Sequence, residues 1–131
     1  MIFLDSGYFI GLMDKKDDNH EDAIEIENYL NYADESTVVN TTVLVETLNR
    51  SVGKKDDVKQ LWDDLHVNNI VIQLSDEDYL KSLEINGWFN NSINYSDCTI
   101  IQTMMSMGIN RIVSFDGGFK KIGKYDVISA I

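Results

Sequence analysis

The chain has 131 residues, 44 % of them hydrophobic, with one cysteine, no proline and a formal net charge of −11. That length and composition suit one domain over residues 1–131 with a radius of gyration of about 14 Å, and they exclude an internal disulfide framework, a cysteine-clustered zinc site and proline-based recognition. The acidity repels nucleic acid at long range, which argues against a nucleic-acid-coating role but not against an enzyme that first recruits divalent cations; the chain stays acidic even with four carboxylates neutralised.

Ile2 to Leu4 form a short apolar run that reads as a buried strand, cut by Asp5. Tyr8, Phe9, Leu12 and Met13 then fall at helical spacing, with Ser6 at the helix start. Residues 15 to 22 are a polar connection, and Asn19 is a cap for a helix striped with Ala23, Ile24, Ile26, Tyr29 and Leu30. Val38 and Val39 predict a second strand, and Asn40 or Thr41 a cap for a helix bearing Val43, Leu44, Thr47 and Leu48. Gly53 marks a break, a helix follows from about Asp56 to His66, and Ile70 to Leu74 read as a strand. Ser75 opens a helix with Glu77 and Asp78 in its first turn, where negative charge suits the helix dipole. GWFNNSINYS, 87 to 96, is the most loop-like segment; Trp88 and Phe89 in it either close the core or stack on bases. A helix is predicted from about Asp97 to Met107, with Gly108 as its C-cap, then a strand at Ile112 and Val113. A helical turn over Asp116 to Lys121 and a strand or tail at Val127 and Ile128 complete the pattern.

Uniformly apolar short strands separated by helices predict an α/β fold, a three-layer α/β/α sandwich around a short central parallel sheet. Ligands in such sheets bind beyond the carboxyl ends of the strands, so acids at those ends are candidate site residues. Asp5 follows the first strand, and Asp116 follows Val113 in VSFDGGF. Glu46 interrupts the apolar run VLVETL, and Asp97 opens the helix after the long loop. Oxygen ligands delivered by separate element ends are how hard-metal sites are built. Each acid also has a plainer reading: Asp5 as a cap, Asp97 as a helix-start charge, Asp116 beside two glycines as a turn residue. Glu46 is the hardest to explain that way. His20 and His66 fall in polar positions and read as surface residues, and Cys98 as core filling.

The blocks FLDSGYFIGLMDKKDDNHEDA, VVNTTVLVETLNR, INYSDCTIIQTM and RIVSFDGGF, in this order, resemble the PIN-domain ribonucleases, most closely the toxin subunits of VapBC toxin–antitoxin systems. The resemblance covers essentially the whole chain. It implies the sandwich fold, RNA cleavage dependent on one or two Mg²⁺ or Mn²⁺ ions, and the acids Asp5, Glu46, Asp97 and Asp116 as catalytic and metal-binding residues. Asp5 and Asp97 match direct ligands, Asp116 a direct or water-mediated one, and Glu46 a residue that holds the ion or its water. Ser114, with Ser6, supports the carboxylates. Many members carry a further acidic or polar residue two positions after the last acid; here that place is Gly118, so a second ion lacks that ligand. The resemblance also implies a homodimer, a small antitoxin partner and transfer or ribosomal RNA as substrate; the single cysteine favours a reducing, cytoplasmic setting, and the lack of an apolar run of 18 or more residues argues against a membrane span. Lys15, Lys16, Arg50, Lys54, Lys120 and Lys121 are the candidate phosphate contacts. Two other readings remain: a PIN nuclease of RNA processing without an antitoxin, and a non-catalytic protein-interaction domain of the same fold.

Overall fold

The computed structural model describes residues 1–51 and 57–131; the break at Gly53 and the candidate Lys54 lie outside the described residues. Strand β1 (Ile2–Leu4) leads into α1 (Ser6–Met13) and α2 (His20–Ala33). Strand β2 (Thr37–Asn40) leads into α3 (Thr41–Ser51) and α4 (Val58–Asn68), and β3 (Ile70–Ile72) into α5 (Asp76–Trp88) and α6 (Tyr95–Met107). Strand β4 (Arg111–Val113), the short α7 (Gly118–Ile122) and β5 (Asp126–Ile128) follow.

The strands form one sheet in the order β3-β2-β1-β4-β5, every pair parallel. Successive side chains of a strand point to opposite faces. Ile2, Phe3 and Leu4 are nonetheless all buried, as are Val38 and Val39, and Ile112 and Val113. Helices therefore cover both faces, the three-layer arrangement the apolar strands predict. The order moves outward from β1 to β3, then returns to β4 on the other side of β1. With right-handed crossovers, that reversal puts α1 to α4 on one face and α5 to α7 on the other. The reversal at β1 and β4 opens a crevice at their carboxyl ends.

Local differences from the sequence expectation have local causes. Ser75 forms a full capping box with Asp78. Asn19 precedes α2 but makes no side-chain cap. Helix α6 starts at Tyr95, so Asp97 lies inside its first turn rather than at its start. Helix α7 starts at Gly118, which leaves Asp116 in the loop before it. His20 is not a free surface residue: its Nδ1 donates to the Gly11 carbonyl at 2.6 Å. A Cβ at Gly11 would lie 3.2 Å from that of Ala23, so the glycine lets α1 and α2 approach closely. Cys98 is fully buried, as expected of core filling.

Asn40 joins the two layers. It ends β2, is fully buried, and its Oδ1 accepts from the Val43 backbone N–H at 3.1 Å, capping α3. Its Nδ2 reaches α6 on the other side, donating to the Thr99 carbonyl at 3.3 Å and the Thr103 hydroxyl at 3.1 Å. The Thr42 and Thr99 hydroxyls, 2.8 Å apart, add a second link. Truncating a residue that satisfies several buried groups leaves them unpaired, so Asn40→Ala is expected to lower unfolding free energy by about 2–4 kcal/mol. Urea denaturation checks this; a loss no larger than that of an exposed Asn→Ala control refutes the role of Asn40 as the tie between α3 and α6.

Candidate active site

The crevice at the ends of β1 and β4 is built around Asp5. This residue follows β1 and is 7 % exposed, and its backbone N–H donates to the Val113 carbonyl, extending the strand pairing. Its Oδ1 accepts from the Ser6 backbone N–H at 2.8 Å, which makes it the cap of α1. Its Oδ2 accepts from the Ser114 hydroxyl at 2.8 Å. Ser114, buried just after β4, in turn accepts from the Asp116 backbone N–H at 3.1 Å. One hydroxyl thus ties two acids to two adjacent strand ends. The Asp116 Oδ1 accepts from the Gly118 backbone N–H at 3.1 Å in a tight turn. The cap and turn readings of Asp5 and Asp116 are therefore both correct, and both leave carboxylate oxygens at the crevice.

Glu46 enters from the second turn of α3 and Asp97 from the first turn of α6. On α3 the buried residues are Val43, Leu44 and Thr47, while Val45 is 53 % exposed. Glu46 is half-buried at the border of that face. The four acids feel one another. Burial, then repulsion from Asp5, Asp116 and Glu46, pushes the Asp97 carboxyl up to about 7, and a side-chain hydrogen bond with Asp116 adds to the shift. Burial outweighs the Ser114 and Ser6 hydrogen bonds and raises Asp5, with Asp116 contributing. Glu46 is raised by burial and then by Asp5.

Among the described residues no ion pair reaches any of the four. Nor do any three acidic, histidine or cysteine side chains among them stand close enough to form a ready-made ion cage. The cluster is therefore a concentration of like charge, not a closed ligand set. Its donor chemistry, oxygen only, suits a hard divalent cation, whose charge would reverse the local repulsion. A Cβ at Gly118 would lie 3.6 Å from both Asp116 carboxylate oxygens; the glycine adds no ligand of its own there.

The candidate cations are spread out. Lys121 shares a cavity of about 530 Å³ with Asp97 and Asp116. Lys15, Lys16 and Arg50 lie exposed on other segments, and Lys120 donates to the Ser129 hydroxyl at 3.3 Å. The two loop aromatics part company. Phe89 packs on the core and lines the cavity beside the acids, whereas Trp88 is 61 % exposed and faces a groove between α5 and α6. Asn40, Thr99 and Thr103 set the spacing of α3 and α6 and hence of Glu46 and Asp97. The sequence signals Asn40 only as a cap, because its partners on α6 are distant in the chain.

Residues 2–125 match the PIN domain family. No curated protein matches the chain by sequence. Among solved structures, the Mycobacterium tuberculosis toxin VapC20, described as cleaving the sarcin–ricin loop, is similar at 20 % identity with a TM-score of 0.76, covering 98 % of this chain and 99 % of that one. VapBC2 from Rickettsia felis, bound to a DNA fragment from its promoter, is 18 % identical with a TM-score of 0.69, covering 97 % of each chain. FitAcB from Neisseria gonorrhoeae is 12 % identical with a TM-score of 0.67, covering 98 % of this chain and 96 % of that one. At these identities the likeness is one of fold.

The charge cluster makes a signed prediction. Asp97 holds its proton more tightly in the folded chain, at about 7, than at its ordinary value of 3.8. Its contribution to stability is fully present below pH 4 and is lost as pH rises through 7. In EDTA, Asp97→Asn is expected to be more stable than wild type at pH 8, by about 1–3 kcal/mol after solvent screening, and to converge with it at acid pH. Melting curves from pH 5 to 8 check this. Parallel curves for the two proteins would show that Asp97 titrates normally.

Proposed function

The chain belongs to the PIN domain family, and from that premise we propose that it is a metal-dependent endoribonuclease, the toxin of a toxin–antitoxin pair. The observation that carries this reading is the gathering of Asp5, Glu46, Asp97 and Asp116 at the switch point of the sheet, each raised carboxyl owing part of its shift to another member of the set. A purely structural cluster would be expected to contain a compensating lysine or arginine.

When bound, Mg²⁺ or Mn²⁺ supplies activation of a water nucleophile and neutralisation of phosphate charge. Asp5 and Asp97 would hold the ion directly, and Asp116 directly or through water. Glu46, at the border of the cluster, would orient a bound water or complete the ligand set. Ser114 fixes the rotamer of Asp5 and the turn carrying Asp116, so that neither swings away from its neighbours. Without a side chain at position 118, a second ion would lack the ligand that many family members place there. The description of VapC20 as a sarcin–ricin loop cleaving toxin supports a structured RNA loop as the substrate class, and Lys121 is the candidate cation that shares a cavity with the acids.

A groove on the other side of α1 supports a protein partner. It measures about 450 Å³, is floored by Tyr8, Leu12, Leu61 and Leu65, and is rimmed by Glu27 and Asp64. An apolar floor with acidic rims suits an amphipathic helix with basic flanks, the chemistry of a small antitoxin segment. Most of the apolar stripe of α1 and α2 is core: Tyr8, Phe9, Ala23, Ile26 and Leu30 are buried. Leu80, Leu83, Trp88 and Met105, on α5 and α6, are exposed apolar residues that a second copy of the chain could cover.

Purified protein is expected to cut structured RNA with Mg²⁺ or Mn²⁺, to be inert in EDTA, and to lose cleavage in Asp5→Asn. Ser114→Ala, which touches the ligands and not the ion, is expected to reduce kcat by about 10- to 100-fold. Absence of metal-dependent cuts by folded, partner-free protein would shift the reading to a binding role. For the groove, the double change Glu27→Lys with Asp64→Lys is expected to weaken antitoxin binding about tenfold at low salt, with the difference shrinking as salt is added. Calorimetry that finds equal affinity for both proteins would place the partner elsewhere.

A further inference from the structure

The cavity that Asp97 and Asp116 share with Lys121 is also lined by the apolar side chains of Phe89, Ile93 and Ile122. Its volume, about 530 Å³, lies within the range of about 300–1,000 Å³ typical of small-molecule sites. At its mouth stands Asn94, which holds the N-cap position of α6 yet makes no side-chain cap. An Asn there ordinarily spends its side-chain oxygen on a helix N–H. Here the amide is exposed and keeps both donors and its acceptor for something else.

We propose that this recess is a nucleobase subsite: it takes one unpaired base next to the scissile phosphate, stacked against Phe89 and the isoleucines and read on its edge by Asn94. The inference rests on the nuclease reading and deepens it by naming how the strand is held. Two walls of the cavity are the acids themselves, so the occupant must be attached to, or lie beside, whatever those acids process. A neutral, flat, apolar-faced group tolerates two neighbouring carboxylates where an acidic peptide would not. Aromatic stacking and an amide reading a base edge are the ordinary means of holding single-stranded RNA. Lys121, exposed on the cavity wall and in no ion pair among the described residues, meets the phosphate on the other side of that base.

The test needs no cleavage. Isotopically labelled wild-type chain in EDTA is titrated by NMR with the four nucleoside 5′-monophosphates, inorganic phosphate and L-argininamide. Saturable amide shifts are expected at Phe89, Asn94, Lys121 and Ile122 with at least one nucleotide, and not with phosphate. Asn94→Ala removes no cap, so it is expected to melt like wild type while weakening the preferred nucleotide about fivefold to a hundredfold and levelling the preference among bases. Phe89→Leu, which keeps an apolar contact with the core, is expected to weaken all four nucleotides alike. Shifts elsewhere, equal shifts with phosphate, shifts with argininamide only, or unchanged nucleotide affinity in both variants would overturn the subsite. Metal-dependent RNA cleavage by the same preparation, measured alongside, keeps the two readings apart. Cleavage without nucleotide shifts in the recess sinks the subsite alone, and shifts without cleavage sink the nuclease reading alone.

Discussion

Four carboxylates influence one another at the carboxyl edge of a parallel sheet, carried there by separate elements of the fold. Asp5 and Ser114 are anchored by β1 and β4, whose residues are buried on both faces of the sheet. Glu46 and Asp97 ride on helices from opposite layers, spaced by Asn40 and its hydrogen bonds into α6. Burial first, and repulsion from the other acids second, raise the carboxyls of Asp5, Glu46 and Asp97, and among the described residues no ion pair offsets this. A divalent cation placed among such groups would favour their charged forms.

The same constraint bears on how, under the proposed nuclease reading, an acidic chain would act on a polyanion. A net charge of −11 gives no long-range attraction for RNA. Cation binding at the cluster would reverse the local field, and Lys121 lies beside the place where it reverses. Recognition then falls to short-range chemistry, stacking and hydrogen bonding, which a recess beside the acids can supply. Glu27 and Asp64 at the other groove carry charge that would repel RNA and attract a basic helix, in keeping with the proposed protein partner.

The elements themselves were legible from local pattern. The central strands β1, β2 and β4 show as short apolar runs because they are buried on both faces, and Ser75 with Asp78 announces the start of α5 by its capping chemistry. Local pattern failed where a side chain's partner is remote. Asn19 looks like a cap and caps nothing, since it bonds no helix N–H through its side chain. His20 looks like a surface residue and is tied to the Gly11 carbonyl. Trp88 and Phe89 look alike in sequence, yet the end of α5 turns one to solvent and the other to the core.

For the site, the sequence by itself determined which acids stand at element ends, because an acid that interrupts or terminates an apolar run is visible without knowing where the run goes. Asp5, Glu46, Asp97 and Asp116 were all legible in that sense. Only the tertiary structure decided that they meet, since their convergence depends on the reversal of strand order at β1 and on α3 and α6 being held from opposite layers. It also decided that Ser114 serves Asp5 and Asp116 at once, that Lys121 and not Lys15, Lys16 or Arg50 shares their cavity, and that Asn40 ties α3 to α6. Hydrophobic period and capping are encoded over a few residues; a contact such as that of Asn40 with Thr103 spans 63 positions and exists only once the crossovers have closed.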